Sequence, residues 1–160
     1  MSTSHLVNLP RHLDVLSMGD LFTATIQASV HYDDALRRYH NASVIIEHPV
    51  QPVSSTSIRK IPIHRRISLA TRDLLRESNQ SLLSRAPVKT YFKGTQGRKV
   101  SQKVAETPTR QHLEDAAVIF QLAASIRDMP VRSIERCFGI TYKQAKRWVR
   151  IARREQILDR

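Results

Sequence analysis

Hydrophobic and polar positions along this 160-residue chain change period twice. Leu21 to His31 (LFTATIQASVH) is rich in Thr, Ile, Val and Phe and reads as a strand. Ser43 to Glu47 (SVIIE) reads as a second, stopped by Pro49 and Pro52. Asp33 to Tyr39 (DDALRRY) between them suits one or two helical turns behind an Asp cap, and residues 1–19 read as a loosely structured start. Two strands this close predict an antiparallel pair, which is marginal in water unless a helix or a second subunit covers it. Ser54 to Ser57 is a polar cap region leading into a short turn, and Pro62 suits a first helical position. Ile63, Ile67, Ala70 (or Thr71) and Leu74 then recur at helical spacing as far as about Ser78, predicting an amphipathic helix.

Residues 84–108 hold two Gly, two Pro, six Lys/Arg and one Glu, the composition of a basic, mobile linker. Tyr91, Phe92, Lys93, Arg98 and Lys99 interleave rings with charge there, as single-strand binders do, although a tether adding phosphate contacts is the simpler reading. Past the linker, Thr109 to Asp128 carries Leu113, Ala116, Ala117, Phe120, Ala123, Ala124 and Ile126 on one stripe, with Glu114 and Asp115 in its early turns. Pro130 ends the connection, and Val131 to Phe138 makes a short helix with Ile134 and Phe138 turned inward. Gly139 supplies a sharp turn. Thr141 and Gln144 form a capping box that starts a third helix with Ala145, Trp148, Val149 and Ala152 on one face.

The fold class so predicted is α+β, mostly α. Residues 1–83 are a small module of a strand pair plus helix, for oligomerisation or partner binding. Residues 84–108 are the linker, and residues 109–160 a three-helix domain of helix-turn-helix type. The glycine lets two helices meet steeply, the apolar wedge locks their angle, and the outer face of the last helix is left projecting.

Charge sharpens this picture. Residues 1–84 hold nine Lys/Arg against seven Asp/Glu, net +2, whereas residues 85–160 hold seventeen against seven, net +10. A total of +12 argues for a polyanionic partner. Tyr142 to Arg154 has six Lys/Arg and no acid, where an ordinary solvated face would mix signs. Thr141, Tyr142, Lys143, Lys146 and Arg147 are the candidates to reach base edges, and Arg132 and Arg150 to hold phosphates of double-stranded DNA.

The segment PVRSIERCFGITYKQAKRWVRIARREQIL resembles a helix-turn-helix type common in actinobacterial and actinophage proteins. Those read Pro-Thr-Lys-x-Val-Ala-x-x-Phe/Leu-Gly-Val-Ser, followed by Ala-x-Arg-Trp-Val. The matching positions are Pro130, Ile134, Phe138, Gly139, Ile140, Thr141, Ala145, Arg147, Trp148 and Val149, within about 50 C-terminal residues. SSTSIRKIPIHRRI is more weakly similar to an upstream segment of the same proteins. The resemblance implies a DNA reader, with two departures. Val131 replaces a capping Thr, which removes about 1 kcal/mol of capping. Glu135 replaces a small residue, so either it turns to solvent and pairs with Arg132 or Arg136, or the helices cross more widely.

Other chemistry finds little support. The seven histidines are scattered without metal-ligand spacing, and Cys137 is the one cysteine, read as a buried inert thiol. Asp33 and Asp34 suit a cap better than a catalytic metal pair, and no P-loop, nucleophile elbow or zinc-protease motif occurs. No enzyme, cofactor or metal is expected. Neither a secretory start nor an apolar span is seen, so a cytoplasmic, nucleoid-associated location is expected. The reading is a sequence-specific bacterial or phage transcriptional regulator, as a homo-oligomer, with a protein partner possible through residues 20–80. Alternatives are an accessory or architectural factor of recombination, replication or packaging, or a protein–protein adaptor using the basic helix.

Overall fold

A computed structural model describes residues 7–18, 25–48, 52–94 and 107–159. Three strands, β1 (His12–Met18), β2 (Thr25–Asp33) and β3 (Arg38–Glu47), precede the helices α1 (Ser55–Lys60), α2 (Ile63–Ser78), α3 (Ala86–Lys93), α4 (Arg110–Ser125), α5 (Pro130–Phe138) and α6 (Tyr142–Arg154). A short 3-10 turn, Gln80–Ser84, leads into α3. The fold is α+β and mostly helical. Two compact units divide it: Leu9–Ser78, and Asn79–Arg160 together with Met1–Asn8.

In the unit Leu9–Ser78 the sheet is antiparallel, in the order β1-β2-β3. It has three strands among the described residues, because His12–Met18, expected to be loose, is itself a strand. Its alternation is short but clean: Leu13 and Val15 are buried, while His12, Asp14 and Leu16 are exposed. β2 is described from Thr25, and the first residues of the expected strand, 21–24, lie outside the described residues. The helical turns expected over Asp33–Tyr39 are a hairpin turn instead. The Asp33 carboxylate accepts a hydrogen bond from the Leu36 N–H at 2.9 Å, and Arg37 takes φ 51°, so β3 can start at Arg38. α2 lies over β1 and β2. Its buried line is Ile67, Thr71 and Leu75 at i, i+4 spacing, so Leu75 takes the central place expected of Leu74. The buried Thr71 hydroxyl donates to the Ile67 carbonyl at 2.8 Å and leaves no polar group open.

In the second unit, residues 86–93 overturn the linker expectation. They form α3, which packs on α4 and α5 and buries Val88, Tyr91 and Phe92. The interleaved aromatics are therefore core residues, and Arg98 and Lys99 lie outside the described residues. Arg85, just before α3, donates to Asp115 on α4 at 3.1 Å, and Gln111 donates to the same carboxylate oxygen at 2.9 Å. Asp115 is only 5 % exposed, so these donors are what make its burial tolerable. α4 is buried more fully than one stripe. Val118, Ile119 and Leu122 are inaccessible, whereas Phe120, expected on the apolar stripe, is only half-buried. The order of burial follows from α4 being packed by α3, α5 and α6.

Candidate nucleic-acid interface

α5 and α6 are joined by two residues beyond Gly139, and each end of that turn is chemically fixed. Gly139 stands at φ 65°, ψ 26°, the left-handed region, and its N–H bonds back to the Glu135 carbonyl. The Ile140 N–H reaches the same carbonyl at 3.2 Å. The Thr141 N–H donates to Gln144 Oε1 at 2.9 Å, and the Gln144 N–H donates to Thr141 Oγ1 at 3.2 Å. This is the reciprocal capping box read from the sequence, and it starts α6 abruptly. The start of α5 has no side-chain cap from Met129. Asp128 acts there instead, accepting from the Met129 N–H at 2.8 Å and from the Ser133 hydroxyl at 3.1 Å.

The inner side of α6 is held by rings. Trp148 is 1 % exposed and meets Phe138 of α5 edge-on, with centroids 5.1 Å apart. His112 of α4 stacks flat on Trp148 at 5.6 Å, with an interplanar angle of 10°. His112 also closes a second capping box, its Nδ1 accepting from the Thr109 N–H at 3.2 Å. Sequence reading missed this histidine, since nothing local marks a stack between distant helices. Ala145, Val149 and Ala152 complete the buried face.

The outer side carries the cations. Lys143, Lys146, Arg147, Arg150, Arg153 and Arg154 are all exposed, and α6 contains no acid. Lys143, Lys146 or Arg147, and Arg150 follow one another at helical spacing, so one ridge holds them. Lys143 lies in the first turn, where the helix dipole disfavours a cation by up to about 1 kcal/mol. Arg132 joins the ridge from α5. Its guanidinium sits 4.5 Å over the Tyr142 ring and bonds to Glu135 at 2.8 Å. Glu135 thus pairs with Arg132, while Arg136 lies 3.9 Å from Asp128.

Two expected side chains are partly committed elsewhere. The Thr141 hydroxyl serves the cap, and Tyr142, 42 % exposed, has one side of its ring beneath Arg132. Arg153 is likewise drawn inward, 5.4 Å over Phe120. Cys137 is buried and its thiol pushed up to about 12 by loss of solvation.

Three histidines that looked scattered fall in one row across the sheet, His12 beside His31 beside His40. No group of three or more His, Cys, Asp or Glu that could hold a metal ion occurs among the described residues. No helix among them is long and apolar enough to cross a membrane. No family model, curated protein or solved structure matches the chain.

Proposed function

We propose that α4, α5 and α6 make a helix-turn-helix that binds double-stranded DNA sequence-specifically, with α6 as the recognition helix, in a bacterial or phage transcriptional regulator acting on nucleoid DNA. The observation that carries this reading is the outer face of α6: six exposed Lys/Arg and no acid, on a helix whose inner face is fully packed. Stability alone would favour mixed signs and an acid in the first turn. A basic first turn is better explained by a polyanion that approaches the helix N-terminus, where unpaired backbone N–H groups also face outward.

In this reading Lys143, Lys146 and Arg147 reach base edges from the first two turns, with Thr141 and Tyr142 beside them. Arg150 and Arg132 meet phosphates to either side. Arg147→Ala should weaken the preferred site by roughly 1–3 kcal/mol and relax discrimination at one base pair. Arg150→Ala should weaken all duplexes alike and lower the slope of log affinity against log salt by about one. Binding series on selected and random duplexes at several salt concentrations measure both. Equal losses on both duplexes for Arg147→Ala would turn the reading to an architectural factor. No loss for either variant would reject the groove assignment in favour of a protein-binding basic helix.

A further inference from the structure

β3 is an edge strand, with no strand on its far side among the described residues. Its register with β2 places Arg38, His40, Ser43, Ile45 and Glu47 on the open face of the sheet, and Tyr39, Asn41, Val44 and Ile46 on the face that α2 covers. α2 packs mainly on β1 and β2, so Val44 remains 39 % exposed on the covered side, while Ile45, on the open face, is 51 % exposed. An edge of this kind, with apolar side chains and an unused row of N–H and C=O groups, is a template for another strand.

The strand is complementary to itself. Ser29 pairs with Ser43 and Val30 with Asn41, which leaves Ala42 as an extra residue, a bulge. An antiparallel copy set about a two-fold axis between Ala42 and Ser43 brings Arg38 opposite Glu47, Tyr39 opposite Ile46, His40 opposite Ile45, and Asn41 opposite Val44. Each pair joins residues of one face, as a continuous pleat requires. Without the bulge the same axis would bring opposite faces together. Two ion pairs close the ends of the interface. Within one chain the Arg38 Nε is buried without a partner, and neither Arg38 nor Glu47 has an ion-pair partner among the described residues.

We propose that a second copy of this chain docks along β3, joining two three-stranded sheets into one of six strands. The pairing is independent of DNA binding, and its test contains no DNA. Sedimentation equilibrium of the full chain should show a monomer–dimer equilibrium. Glu47→Arg, which faces Arg38 with a like charge at both ends, should weaken the dimer roughly tenfold. The Arg38→Glu, Glu47→Arg double variant should restore it. A cysteine at the axis, Ala42→Cys, should form a disulfide-linked dimer on mild oxidation, while Leu36→Cys at the hairpin tip should not; the buried Cys137 does not compete. A monomer at every concentration overturns the proposal. So does a dimer that tolerates Glu47→Arg and cross-links no better through Ala42→Cys than through Leu36→Cys. Circular dichroism checks that each variant is folded, and if the charge variants are not, the cysteine pair decides.

Discussion

Gly139 is the residue on which the approach of α5 to α6 turns. A Cβ at φ 65° meets the following carbonyl, so Gly139→Ala should cost about 1–2 kcal/mol, read by denaturant unfolding followed through Trp148, the one tryptophan. Thr141 and Gln144 were legible for the same reason as Gly139, because caps and turns are set by residues within one turn of each other. His112 was not, because its stack with Trp148 exists only once α4 and α6 are packed. Cys137 sits between these cases: an apolar helix position suggested burial, and the structure sets its chemistry. Its thiol is raised from 9.0 to about 12 by burial. The folded state therefore keeps a proton that the unfolded state releases above pH ~9. Its contribution to stability is full below that pH and is lost progressively as pH rises toward 12. At pH 8 iodoacetamide should label Cys137 only in denaturant, and labelling at the native-state rate of a free thiol would contradict the burial.

Whole elements were legible where a long period repeats. α2, α4, α5 and α6 all fall within a few residues of their predicted spans. β1 and α3 were missed, for different reasons. The buried residues of β1 among those whose burial is described are Leu13 and Val15, too few to stand out against the polar start around them. α3 is a short helix whose Lys and Pro content resembles a linker, and its Val88, Tyr91 and Phe92 make sense only against α4 and α5. The Asp33–Tyr39 segment shows a competition between two local signals. An Asp that can cap a helix can equally cap a tight turn, and strands on both sides decide for the turn.

At the scale of the molecule, the unit boundary at Ser78/Asn79 coincides with the charge boundary. All charges of residues 1–84, net +2, fall in the first unit, and those of residues 85–160, net +10, in the second. Charge was thus the part of the organisation most fully readable, and it led directly to the candidate ridge on α6. The boundary itself was not readable, since the helix that extends the second unit lay in the apparent linker. Its energetic consequence is testable. A fragment of residues 79–160 should unfold cooperatively with a blue-shifted Trp148 emission. A fragment of residues 109–160 should be less stable by roughly 3–5 kcal/mol, because it lacks α3 and with it the burial of Val88, Tyr91 and Phe92 against α4 and α5. Equal stability of the two fragments would show that α3 contributes nothing to the core.

The packed inner face of α6 has a consequence for the entropy of any association on its outer face. Ala145, Trp148, Val149 and Ala152 anchor every turn, so the backbone has surrendered its freedom at folding and has none left to lose. What remains is rotamer freedom in the outward cations, up to about 2 kcal/mol for each Lys or Arg that a partner immobilises. Arg132 against Tyr142 and Arg153 against Phe120 have already given up part of theirs, whereas Lys143, Lys146 and Arg147 keep most of it. The ridge is therefore graded, from side chains that arrive in place to side chains that must be caught.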